Sequence, residues 1–474
     1  MKRAGRFGLL LLLGGSIAAS IGLYMYKIHT EPLYNGPLSF IDEEGILWAK
    51  RCMDQYPETY WLVHSKEEAA QEQRSVADQS FSEQLLGERS STLDRTLMTL
   101  NCLKLILKGT EAAYLQFTEA QPDAVKLSKE SFQNLHIEGL TLANSCYKGL
   151  STSEMVQALE IALILGDIGK VEAGRRRFKS YGAKASDNDD FYGEVMQILK
   201  EYPQLSFSFA QLQSPAQELL IEAANLAHYG QIAHLEGGPA MFTKLKSSHI
   251  AHTSPMVVLF GLFVHQCDVA GALGHENNRS SLAYTEWTHQ AIEAMKEACL
   301  TLADLEMTEW DAYDAYLQKR AEWLGLDPTH NMERVLARIG AMLKLFTPEE
   351  GALLKNSIEK LDEHSIISQL DFQKEKWSTL TPYYISDLLA NLSDNRQLGA
   401  TREERLQEAI VLALPFIADV LEMHQELVDQ KQIDPDVPLN FNTVAQAVKT
   451  SPQLLSKELF NFCIDKKGNV FFKL

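Results

Sequence analysis

Two short stretches of this chain gather side chains that could do chemistry. The first is Gly166-Asp167-Ile168-Gly169-Lys170, with a carboxylate and an ammonium three residues apart. On a helix that spacing puts them on one face. There the carboxylate could ligate a metal or move a proton, and the lysine could hold an anion. The second is His265-Gln266-Cys267-Asp268, with His275 following Gly271 and Gly274. On a continuous helix His265 and Asp268 are one turn apart, and His275 lies two turns beyond Asp268 on the same face. The two glycines would either let another helix come close or end this one early. Seven of the thirteen histidines fall between positions 228 and 289: His228, His234, His249, His252, His265, His275 and His289. Imidazole is a frequent metal ligand and acid/base group, so this concentration points to a site with several donors.

A third feature is positive charge. Lys170, Arg175, Arg176, Arg177, Lys179 and Lys184 are offset only by Glu172. Such a run can bind phosphate through charge-assisted hydrogen bonds, or it can be a solvated helix face. Asp187-Asn188-Asp189-Asp190 follows; its oxygens suit a hard cation, but a turn or helix N-cap needs the same residues.

The elements that must position these groups are legible as patterns. Ser151 and Glu154 have the spacing of a capping box, which predicts a helix start. From Met155 to Leu165 only Gln157 and Glu160 are polar, so this helix belongs in the middle of a domain. It delivers Asp167 and Lys170 to its end, and burying unpaired charge is costly, so the two need a reason to be there.

Ile164-Leu165-Gly166-Asp167-Ile168-Gly169-Lys170 resembles the central motif of HD-domain proteins, which are all-helical metal-dependent phosphohydrolases and, in one branch, di-iron oxygenases. Their motif runs apolar-apolar-His-Asp-x-Gly-Lys. The match holds at Asp167, Gly169 and Lys170 and departs at Gly166, where the family places a metal-binding histidine. Gly230-Gln231-Ile232-Ala233 and Asp268-Val269-Ala270-Gly271 are also similar to an uncharacterised HD-like branch. The resemblance implies a divalent metal ion (Mn, Fe or Zn) held by Asp167 and Asp268 with His136, His234, His265 and His275. Asp167 and Lys170 would be catalytic, and Lys170, Arg175, Arg176 and Arg177 would hold a small phosphate-containing substrate. Asn188 would mark a second histidine lost. Glycine at position 166 supplies no ligand, which favours the alternative of a catalytically degenerate scaffold acting through protein–protein contacts.

The expected fold is all-α: an HD-like core at 126–290, a linker and helical region at 27–125, and a helical region at 291–474. Phe460–Ile464 and Val470–Leu474 are expected to close that last region as a β-hairpin. Thr288–Leu305 and Thr401–Glu426 have helical periodicity, and Pro415 is expected to kink or break the latter. Residues 1–6 carry three positive charges, and residues 7–26 form an uncharged run of about twenty residues, long enough to cross a bilayer. The excess of basic residues before this span predicts a single-pass membrane protein with its N-terminus in the cytoplasm. Cleavage near Ser16-Ile17-Ala18 would instead give a secreted form. The six cysteines are scattered without a CxxC pair, which suits buried thiols rather than zinc ligands or disulfides. With 474 residues, 45% of them hydrophobic, the chain can bury two or three domains. A net charge of -19 opposes binding to nucleic-acid backbones.

Overall fold

The computed structural model describes residues 44–65, 68–69, 80–226, 242, 245–248, 250–359, 361, 384–435, 437, 439–456 and 461–473. In chain order the helices begin with α1 (Gly45–Gln55), α2 (Phe81–Leu86), α3 (Ser91–Lys108), α4 (Glu111–Thr118), α5 (Lys129–Ala143) and α6 (Thr152–Gly166). A 3-10 turn at Ile168–Lys170 leads to α7 (Glu172–Lys179), α8 (Asn188–Glu201), α9 (Phe207–Gln211), α10 (Ser214–Ala224) and α11 (Pro255–Gly271). Then come α12 (Glu286–Thr301), α13 (Glu309–Leu324), α14 (Asn331–Met342) and α15 (Pro348–Ile358). The chain closes with α16 (Tyr384–Ser393), α17 (Arg402–Asp429), α18 (Asn442–Val448), β1 (Phe462–Ile464) and β2 (Val470–Phe472).

The capping box at Ser151 is formed: Glu154 N donates to Ser151 Oγ at 3.3 Å and Ser151 N donates to Glu154 Oε2 at 2.7 Å. From there α6 runs through the first core, buried on nearly every side by α3, α5, α10 and α11. Its neighbour α11 packs along α3, and the close approach depends on two glycines. A Cβ at Gly271 would collide with the Thr99 backbone, and one at Gly274 with Met98 and the Asp94 carbonyl.

Two hydrophobic cores result. The first draws on residues from Trp48 to Leu317 together with Ala341, and the second on residues from Ala321 to Val470. Helix α13 supplies both, with Tyr313 and Leu317 in the first and Ala321 and Leu324 in the second. In the second core α17 continues unbroken through Pro415. Pro415 and its neighbours Leu414 and Phe416 are buried, so packing outweighs the lost backbone hydrogen bond. The hairpin pairs Phe462 with Phe472 and Ile464 with Val470 in antiparallel register, and Phe462 meets Phe416 at 5.2 Å between ring centroids.

The expectation of a membrane-spanning helix is corrected. Among the described residues no helix is long and apolar enough to cross a membrane. The most apolar helices, α6 and α11, bury their side chains against protein, so lipid is not needed to cover them. Residues 7–26, on which the membrane contact, single-pass topology and cytoplasmic N-terminus rested, lie outside the described residues.

Candidate functional site

Helix α6 ends at Gly166, and the chain tightens into the 3-10 turn, making Asp167 the C-cap. The three-residue spacing lays Lys170 Nζ on Asp167 Oδ1, and Lys170 N donates to Asp167 O at 3.0 Å. The second carboxylate oxygen, Oδ2, accepts from Thr96 Oγ1 on α3 at 2.5 Å. Protein donors therefore engage both oxygens of a side chain that is 4% exposed. Burial alone would depress the Lys170 pKa; the Asp167 and Asp268 carboxylates outweigh it, against Arg95, and hold the ammonium above the ordinary lysine value.

A cavity of about 270 Å³ lies beside this pair. Ala162, Leu163 and Gly166 line it from α6, Asn188, Asp189 and Tyr192 from α8, and Phe260, Val264, His265 and Asp268 from α11. The two motif glycines behave differently. A Cβ at Gly166 would meet no atom within 4 Å, so that position opens onto free space. One at Gly169 would collide with Asn188 Oδ1, and Asn188 Nδ2 donates to Gly166 O at 3.2 Å. Asn188 thus latches the start of α8 to the end of α6. Among the described residues the Asp268 carboxylate has no hydrogen bond or ion pair, and neither does the Tyr192 hydroxyl. Burial raises the Tyr192 pKa, so this phenol stays protonated at neutral pH.

A family model described as a family of unknown function (DUF6829) matches residues 57–454. The chain belongs to that family. No curated protein and no solved structure matches it. The residues that match the DUF6829 model include Thr96 and the whole cavity lining.

In this DUF6829 chain the expected metal centre is corrected. Among the described residues no group of three or more His, Cys, Asp or Glu could hold a metal ion. Asp167 is closed by Lys170 and Thr96, Gly166 offers no donor, and two of the expected histidines stand elsewhere. His136 Nδ1 lies 2.8 Å from Ile106 O and its ring packs against Gly109; burial lowers its pKa, partly opposed by that carbonyl. His275 falls beyond the end of α11, with Nε2 3.7 Å from Glu276 Oε1. The α11 helix stops at Gly271, so His265 and His275 share no helix face. His234, with His228, His249 and the stretch 230–233, lies outside the described residues.

Of the basic cluster Lys170 lines the cavity, whereas Arg175, Arg176 and Arg177 do not. Arg175 donates to Ala185 O at 2.7 Å and Ser186 O at 2.9 Å and lies 4.6 Å from the Phe191 ring centroid. Arg176 pairs with Glu172 on the surface at 3.5 Å. Arg177 stacks 4.1 Å from the Trp61 ring centroid and donates to Leu205 O at 3.3 Å. Asp187 serves as the N-cap of α8, accepting from Asp189 N at 2.9 Å and Asp190 N at 3.1 Å. The sequence reading missed Thr96, Tyr192 and Phe260. Thr96 is one of three buried threonines on α3, with Thr92 and Thr99, so no local pattern singled it out.

Proposed function

We propose that this chain is a catalytically degenerate, HD-like helical scaffold that acts through contacts with other proteins. The observation that carries this reading is the closure of Asp167. Its carboxylate is neutralised by Lys170 and hydrogen-bonded by Thr96, while the adjacent position is a glycine with no donor. An internal ammonium thus stands as the counter-charge that a cation would otherwise provide. The HD-like part of the reading is supported by the convergence of Asp167, Lys170 and Asp268 on one cavity.

The contact part rests on the surface around α7. Tyr60, Tyr181, Tyr202 and Phe207 are exposed on elements that adjoin α7, α9 and the turn at Pro57–Leu62. Tyr181 and Tyr202 stack at 5.7 Å, beside the Arg177–Trp61 pair. Exposed aromatics with arginine have the composition of interaction hot spots.

Two measurements test the reading. Mass spectrometry of the chain purified without chelator is expected to find no stoichiometric metal; one equivalent of iron, manganese or zinc that vanishes in Asp167→Asn would overturn it. Capture of a partner by crosslinking is expected to fail in the Tyr202→Ala/Phe207→Ala variant and to persist in Asp167→Asn. The opposite pattern would place the working surface at the cavity.

A further inference from the structure

The charges that line the cavity are already matched within the protein. Lys170 pairs with Asp167 and also engages Asp268 electrostatically, with Arg95 close enough to act on the same lysine. Asp189 and His265 each engage a partner of their own. Asn188 is turned to the backbone, donating to Gly166 O at 3.2 Å with its Oδ1 against Gly169. A guest with a full charge would either leave that charge unpaired beside an apolar wall or break one of these pairs, and both are costly. An anion would in addition meet three lining carboxylates against one lysine. A neutral guest meets neither obstacle.

The lining also has what a neutral guest would use. Much of the wall is apolar, from Leu163, Ala223, Ala224, Phe260 and Val264, and removing apolar surface from water drives binding. The Tyr192 hydroxyl, in the same wall, has no hydrogen bond among the described residues. Burial keeps this phenol protonated, so it offers one neutral donor and an acceptor. At about 270 Å³ the space exceeds the roughly 150 Å³ that suffices for a benzene ring, which leaves room for a substituent.

We propose that this cavity binds a small neutral molecule of one ring and one hydroxyl or carbonyl group, with the ring against Leu163, Phe260 and Val264 and the polar group on the Tyr192 hydroxyl. This inference deepens the reading of a non-catalytic scaffold and rests on it, since a metal held at Asp167 and Asp268 would draw an anionic guest instead.

The test is ligand-observed saturation-transfer NMR on the full chain, with three probes of nearly equal shape in one mixture: benzyl alcohol, benzylamine and benzoate. Saturation is expected to pass to benzyl alcohol and not to the two charged probes. Gly166→Leu should abolish that transfer, because its side chain enters the free space beside Gly166. Titration of the same signal should show Tyr192→Phe weakening benzyl alcohol binding about two- to tenfold, the range for one neutral hydrogen bond. A melting curve checks that each variant is folded, and Tyr192→Phe decides the matter if Gly166→Leu is not. Stronger transfer to benzylamine or benzoate, transfer to benzyl alcohol that survives Gly166→Leu, undiminished binding in Tyr192→Phe, or no transfer to any probe would overturn the proposal. Metal content of the same sample is read separately, so failure of the scaffold reading is distinguishable from failure of this site.

Discussion

Glu160 shows how a single side chain on α6 can set a pH dependence remote from the cavity. It accepts a hydrogen bond from the Tyr56 hydroxyl in a buried setting. Burial pushes its pKa up to about 7, with the Tyr56 bond holding it back. In the unfolded chain a glutamate titrates near pH 4.3, so between about 4 and 7 the native state keeps a proton that the unfolded state has lost. Stability from this group therefore falls as pH rises through that window, by on the order of 3 kcal/mol when complete. Glu160→Gln keeps the size and the hydrogen bond without the charge. The difference in Tm between variant and wild type is expected to grow in the variant's favour from about pH 4.5 to 7.5. A constant difference would mean that Glu160 does not titrate in this range. Lys104, whose pKa burial lowers to about 8, acts above the window and with the opposite sign. At this scale the sequence was informative where partners are local: Asp167 and Lys170 meet because they are three residues apart. His136 and Thr96 were opaque, since the partner of each, Ile106 O and Asp167 Oδ2, lies on another helix or turn and no spacing encodes that crossing.

Helices were more legible than the contacts between them. The capping box at Ser151 and the apolar run after it are local signals, and both appear in α6. Gly271 and Gly274 had two readings, and both occur: α11 ends at Gly271, and Gly271 with Gly274 just beyond the helix lets α3 come close. What the pattern could not supply was the identity of the approaching helix. This yields an expectation of opposite signs for one substitution. Gly166→Ala places a methyl group in open space at the end of α6 and should stabilise by up to about 1 kcal/mol through helix propensity. Gly271→Ala drives a methyl group into the Thr99 backbone and should destabilise by about 1–3 kcal/mol. Urea unfolding of the two variants beside wild type measures both, and equal effects would contradict the packing of α11 on α3.

Over the whole molecule the decisive feature is that α13 belongs to two cores. Composition allowed for two or three domains, but it could not reveal that one helix would be shared between the cores. Tyr313 and Leu317 pack with the first core, Ala321 and Leu324 with the second. Arg338 of α14 reaches back to within 5.6 Å of the Tyr313 ring centroid. Arg320, fully buried, donates to Leu345 O at 3.0 Å and lies 4.3 Å from the Phe346 ring centroid. Unfolding either core alone would strip half of a 16-residue helix and leave the rest too short to hold itself, since isolated helices below about 12–15 residues are marginal in water. It would also open the surroundings of buried arginine. The cores should therefore melt together. Leu159→Ala in the first core and Leu414→Ala in the second, both at buried positions, should each cost about 2–5 kcal/mol. Calorimetry is expected to show each variant lowering one common transition. Two peaks, each displaced by only one of the substitutions, would mean that α13 does not couple the cores.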